Sequence, residues 1–239
     1  MARTFLPRRR SRDYWEIGKA QGTGFAVSCD IGSRNILLQF FILREGNMQE
    51  LKERILKEGR VLPGDIIKVD GFLNHRVDCE LMSHIADEFA KYFDIDNVDL
   101  LLTAEASGIA LTAVCALRFG KPMVYAKKAK SDNIEGGLFK SEIFSYTYKK
   151  KVTLLVAKDW IKPGMRVLVV DDFLARGEAL RGLCEIVEQA GAELVGIGCA
   201  IEKGFQGGGD RLRERGVNLK SLAIIEKAEP GSIVFRDDE

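Results

Sequence analysis

The stretch Val167-Leu168-Val169-Val170-Asp171-Asp172-Phe173-Leu174-Ala175-Arg176-Gly177-Glu178-Ala179 is an apolar run that ends in two carboxylates and passes through a loop of small residues. Four consecutive aliphatic residues predict a buried strand over Val167–Val170. Leu180, Leu183, Cys184 and Val187 then recur on one face of a helix predicted over Gly177–Ala190. A helix amino terminus carries unpaired N–H groups and the positive end of the helix dipole, so the turn Ala175–Ala179 is a natural cradle for a phosphate. Gly177 lets the backbone approach it closely. Two adjacent carboxylates would repel that anion, so Asp171 and Asp172 are expected to face sugar hydroxyls or a hydrated Mg²⁺ instead. Phosphate on one side and diol on the other describes a ribose 5-phosphate.

Outward from this segment the chain alternates element types. On the carboxyl side a strand is predicted over Leu194–Ile201, a helix over Asp210–Arg215 and a last strand over Leu219–Ile225. On the amino side, Leu51, Ile55 and Leu56 mark a short helix closed by Gly59. Asp78 is placed to cap a helix whose stripe is Leu81, Met82, Ile85, Phe89 and Phe93. A strand over Val98–Thr103, a helix over Ser107–Phe119 and a strand over Pro122–Ala126 follow. Alternating strands and helices imply an α/β fold, a parallel sheet flanked by helices, with ligands beyond the carboxyl ends of the strands. Residues 127–151 break the pattern. They are rich in lysine, carry Gly136 and Gly137, and alternate only briefly over Ile143–Tyr148, as expected of a functional or mobile insert.

Composition narrows the possibilities. The 239 residues, 46% of them hydrophobic, can bury one sizeable core or a core plus a small appendage. Lys+Arg 36 against Asp+Glu 35 gives +1, so no whole-molecule field argues for a nucleic-acid or membrane partner. Cys29, Cys79, Cys115, Cys184 and Cys199 are scattered singly, as suits reduced thiols in a cytosol, and with His75 and His84 they form no metal-ligand spacing. Residues 1–47, with Arg8, Arg9, Arg10 and Arg12, read as a disordered or loosely attached extension. Met48 opens the first regular pattern, which raises the expectation that translation begins there.

The segment 167–179 resembles the phosphoribosyl pyrophosphate (PRPP) motif of the type I phosphoribosyltransferases. Three more segments resemble the bacterial xanthine phosphoribosyltransferases of that family: Lys68-Val69-Asp70-Gly71-Phe72-Leu73-Asn74-His75, Glu105-Ala106-Ser107-Gly108-Ile109-Ala110 and Ile201-Glu202-Lys203-Gly204-Phe205-Gln206. The similarity covers about residues 48–235. It implies a core over 48–239 with a small hood, from 48–77 and the carboxyl-terminal segment, and a flap over 127–151. It also implies roles residue by residue. Ala175, Arg176, Gly177, Glu178 and Ala179 would hold the 5-phosphate, and Asp171 and Asp172 would sit near the ribose hydroxyls. Glu105, Ala106, Ser107 and Gly108 would present amides to pyrophosphate, and Lys128 and Lys130 would bring flap cations to it. Ile67, Asn74 and Lys203 would contact xanthine.

An ammonium donates hydrogen bonds and accepts none, so Lys203 suits a 6-oxo group and disfavours the 6-amino group of adenine. Asn74 donates and accepts, which suits a second oxo group. The implied reaction joins xanthine to PRPP with Mg²⁺ as cofactor, in a cytosolic homodimer. Hypoxanthine-guanine salvage and a non-catalytic, PRPP-sensing regulator of the same fold are the alternatives. Two features depart from the family pattern: Arg176 replaces a smaller polar residue, and Ser131–Gly136 is unusually acidic.

Overall fold

A computed structural model describes residues 47–128, 137–145 and 150–236. The expectations for residues 1–46, for the flap segments 129–136, including Lys130, and 146–149, and for residues 237–239 lie outside the described residues.

The chain opens with α1 (Asn47–Glu58), the hairpin strands β1 (Arg60–Leu62) and β2 (Ile66–Lys68), and α2 (Cys79–Tyr92). Asp78 caps α2 as its sequence position predicts: its carboxylate accepts from Leu81 N at 3.2 Å. Next come β3 (Leu100–Ala104), α3 (Ser107–Phe119), β4 (Met123–Ala126), β5 (Leu138–Ser145), β6 (Lys150–Ala157) and β7 (Arg166–Leu174). The chain continues through α4 (Glu178–Gln189), β8 (Glu193–Lys203), α5 (Gly208–Glu214), β9 (Leu219–Glu229) and β10 (Ser232–Phe235).

Six strands form the central sheet in the order β10-β9-β8-β7-β3-β4, parallel throughout except where β10 returns antiparallel along β9. Side chains alternate across it with the period of two that strand geometry imposes. Leu101, Leu168 and Val170 join the core under α2 and α3, while Leu102, Val167 and Val169 join the core under α4. Burial on both faces explains why the strands read as continuous aliphatic runs. Each such side chain contributes roughly 1.5–3 kcal/mol when fully buried.

Three elements differ from the sequence reading. β7 does not stop at Val170 but runs to Leu174, because β8 extends alongside it and offers partners as far as Leu174 opposite Glu202. Asp171 and Asp172 are therefore strand residues. The lysine-rich insert contains an antiparallel hairpin, β5 on β6 with Leu138 opposite Ala157 and Ser145 opposite Lys150. β6 pairs with no strand of the central sheet, so local pattern alone did not mark it. β9 continues past Ile225 to Glu229 and turns into β10, an edge hairpin whose charged residues conceal its periodicity.

Candidate active site

The carboxyl ends of β3, β7 and β8 meet at one edge of the sheet. There they line a cleft of about 350 Å³ with the hood residues Ile67 and Asn74. Asp171, Asp172, Ala175, Arg176, Gly177, Glu178, Ala179, Glu105, Ser107, Lys128 and Lys203 all border this space. Ala106 borders the adjoining groove under the β5–β6 hairpin. Gly108 lies within α3, where an added Cβ would come 2.5 Å from Asp171 Oδ1. The fold thus gathers segments spread over more than half the chain.

Two helices aim uncapped amino termini at this cleft. Gly177 is the N-cap of α4, with φ 80°, and no side chain bonds the first amides of that helix; Ala106 caps α3, also without a side-chain bond. A positive φ strains a residue with a Cβ, which is why glycine suits that turn. Free amides and two helix dipoles converging on one cleft make it an environment for anions. The Glu105–Ala106 peptide bond is cis.

Between the two turns lie the carboxylates. Asp171 is 6% exposed and Asp172 2%, so the cleft meets them as a floor rather than as solvated acids. Asp172 Oδ1 accepts from Ser107 Oγ at 2.8 Å and Oδ2 from Asn74 Nδ2 at 2.9 Å. Ser107, expected to offer its amide to an anion, uses its hydroxyl to orient this acid. Asp171 Oδ1 accepts from Asp172 N at 3.0 Å. Burial, then the neighbouring Asp172 carboxylate, push the Asp171 carboxyl well above the usual carboxylate range, while the Lys128 charge pulls it down.

The residues expected at a purine are present at the cleft but already engaged. Lys203 Nζ donates to the carbonyl oxygen of Asp65 at 2.8 Å and stands 5.7 Å from the Phe173 ring centroid. Burial lowers its pKa from the ordinary lysine value. Asn74 is held by Asp172, and Ile67 is a buried residue of the cleft wall. Sequence reasoning passed over Phe173, which supplies an aromatic face beside Lys203, and Ile143 and Phe144, which bring the hairpin to the cleft. The alternation over Ile143–Tyr148 was their one visible signal.

At the start of the insert the Lys128 amide donates to Glu105 Oε1, and Lys127 exchanges backbone hydrogen bonds with Leu155 of β6, tying the Glu105 turn to the hairpin. The hairpin is fastened to α4. Ser141 Oγ donates to Glu185 at 2.7 Å, Arg181 Nη2 to the Glu142 carbonyl at 2.9 Å, and Gln189 Nε2 to the Lys140 carbonyl at 2.8 Å.

Among the described residues no group of three or more His, Cys, Asp or Glu could hold a metal ion. Two adjacent acids, one with both oxygens already bonded, are too few to cage a bare divalent cation. They suit a Mg²⁺ that arrives on a diphosphate and keeps most of its water shell.

Comparison with known proteins adds to this geometry. Residues 79–225 match the phosphoribosyl transferase domain family. The chain is 50% identical over 194 residues to a xanthine phosphoribosyltransferase of Lachnoclostridium phytofermentans, covering 80% of this chain and 100% of that one. It is 48% identical over 192 residues to a xanthine phosphoribosyltransferase of Bifidobacterium adolescentis, covering 79% and 100%. In three dimensions it is similar to the adenine phosphoribosyltransferase of Saccharomyces cerevisiae, with TM-score 0.62 and 24% identity over 74% of this chain and 98% of that one. At that identity the likeness speaks for the fold alone.

Proposed function

This chain belongs to the phosphoribosyltransferase family, among the xanthine phosphoribosyltransferases, and from that premise we propose that it transfers the 5-phosphoribosyl group of PRPP to N9 of xanthine. The products are xanthosine 5′-monophosphate and pyrophosphate, a purine salvage reaction. One observation carries the reading of the site. Asp172 lies at the junction of the 5-phosphate loop, the anion turn and the hood, bonded to Ser107 on one side and Asn74 on the other.

The residues divide the work accordingly. The amides at Ala175–Ala179, at the start of α4, grip the 5-phosphate, and those at Glu105–Gly108 receive the pyrophosphate. Lys128 adds a positive charge beside the leaving group. Asp172 orients the ribose hydroxyls, and Asp171, beside it in β7, lines the same cleft. Lys203 donates to the 6-oxo group and Asn74 to the second oxo group, with Phe173 packed beside them. N9 then attacks the anomeric carbon with inversion as the C–O bond to pyrophosphate breaks. The barrier falls through positioning and charge stabilisation rather than through a protein nucleophile. Asp171 and Asp172 would hold, through water, a Mg²⁺ carried in on the diphosphate, and that ion would supply charge neutralisation for the departing pyrophosphate.

A homodimer in the cytosol is part of the same reading, supported by the family resemblance. Light scattering at twice the chain mass checks the dimer. Among the described residues no helix is long and apolar enough to cross a membrane. The reaction itself is tested with purified protein, PRPP and Mg²⁺ and each purine in turn. Xanthosine monophosphate with xanthine and no product with adenine are expected; failure to form any nucleotide contradicts the proposal.

A further inference from the structure

The two halves of the proposed site, the 5-phosphate loop after β7 and the lysine at the end of β8, are bridged by a short element to which the reaction itself assigns nothing. α5 begins within the run Gly207-Gly208-Gly209, with Gly207 as its N-cap, and is pressed against both. A Cβ on Gly208 would lie 2.2 Å from the Ala175 carbonyl oxygen and 2.7 Å from the Arg176 carbonyl carbon, so only glycine lets the helix lie against the phosphate loop. Arg211 Nη2 donates to the Arg176 carbonyl at 3.1 Å, a second contact on the same loop. On its other side, a Cβ on Gly209 would lie 2.0 Å from Glu202 Oε1.

Glu202 is the residue before Lys203, and its side chain is fully buried. Arg213, in α5, grips it with a two-pronged ion pair, Nη1 to Oε1 at 3.0 Å and Nη2 to Oε2 at 2.7 Å, and Ser221 Oγ also donates to it. Arg236 holds the same helix from the sheet edge through Asp210, at 2.8 Å. Withdrawing a carboxylate from water costs much of what such a pair returns, so its presence is poorly explained by stability. A bidentate fork does fix geometry, and here it fixes α5 against the strand that carries Lys203.

We propose that Glu202 and Arg213 are positioning residues for the transfer reaction, holding α5 as a spacer that sets the phosphate loop relative to Lys203. Base and sugar phosphate are bound by different strand ends, and attack by N9 demands that both be placed to within a fraction of an ångström. The two strands pair directly as far as Leu174 opposite Glu202, and α5 packs against the loop that follows one and the carboxylate at the end of the other. The inference rests on the proposed reaction, but the spacer is read from the affinity for a phosphosugar alone.

The test uses ribose 5-phosphate as calorimetric probe on the full chain, with steady-state kinetics and thermal melting in parallel. Gly208→Ala is expected to weaken ribose 5-phosphate binding and raise the PRPP KM by about tenfold, with the xanthine KM changed about twofold or less. Arg211 is exposed, so Arg211→Ala leaves the fold intact; it is expected to weaken the same affinity about fivefold with no change in melting temperature. Arg213→Lys keeps the charge, loses the fork and is expected to shift the PRPP KM in the same direction. A merely structural α5 would lower the active fraction, hence kcat, and leave both KM values alone. That outcome, or unchanged ribose 5-phosphate affinity in Arg213→Lys, overturns the inference. Wild-type protein that binds ribose 5-phosphate but makes no nucleotide would instead overturn the assigned reaction and leave the spacer standing.

Discussion

Asn74 Nδ2 lies 2.9 Å from Asp172 Oδ2, so the amide assigned to the purine is held by the acid assigned to the ribose. The two residues are 98 positions apart, and their bond joins the hood to the central sheet. Asn74→Ala is therefore expected to affect both substrates. Losing the purine contact lowers kcat/KM for xanthine by about tenfold, and releasing one oxygen of a nearly buried carboxylate raises the PRPP KM as well. Initial-rate kinetics with each substrate varied in turn checks this; a change confined to xanthine would show that the bond has no function.

Asp172→Asn keeps the size of the side chain and an oxygen for Ser107, and Asn74 can turn its amide to match. The fold should survive, with a melting temperature within a few degrees of wild type. Turnover is expected to fall by about a hundredfold, because the charge facing the ribose is gone. Undiminished kcat would remove this carboxylate from the mechanism.

Lys203 spans the hood and the sheet, bonded to the Asp65 carbonyl at 2.8 Å. Lys203→Met preserves the apolar stem beside Phe173 and deletes the donor. The expected loss in kcat/KM is about ten- to a hundredfold for every 6-oxopurine, the cost of a charged hydrogen bond, with adenine still not used. Gain of activity on adenine would mean that Lys203 acts by exclusion rather than by donation.

Asp78 gives the acid limb of stability a specific source. Its carboxyl is held below the ordinary 3.8 by the Leu81 amide first and by Arg54 next. The folded pKa is the lower one, so the charged cap's contribution is present above pH 3.8 and is lost as pH falls through the folded value. Asp78→Asn retains the cap without the charge. The melting-temperature gap between wild type and variant should be constant near neutrality and close as pH drops below 3.8. A gap independent of pH down to 2 would contradict the assignment.

How much of this was legible beforehand depended on whether the cause was local. The helix over Ser107–Phe119, the Asp78 cap and the glycine-marked turn at Gly177 follow from neighbours a few positions apart, and they stand where their patterns place them. The loop Ala175–Ala179 and the turn at Glu105 and Ser107 share one cleft because strands of a parallel sheet end at one edge.

What escaped was set by partners outside each segment's own pattern. β6 is a strand because β5 pairs with it, the acids are strand residues because β8 outruns Val170, and Lys203 meets a carbonyl 138 positions away. The burial of Asp171 and Asp172 belongs to the same class.

Base preference puts the assigned activity at risk most directly. With PRPP limiting and xanthine, guanine and hypoxanthine present together at equal concentration, the ratio of nucleotides formed reports the ratio of the three kcat/KM values. Xanthosine 5′-monophosphate should predominate over both competitors. A product mixture dominated by guanylate or inosinate, or pyrophosphate release without any nucleotide, would contradict it.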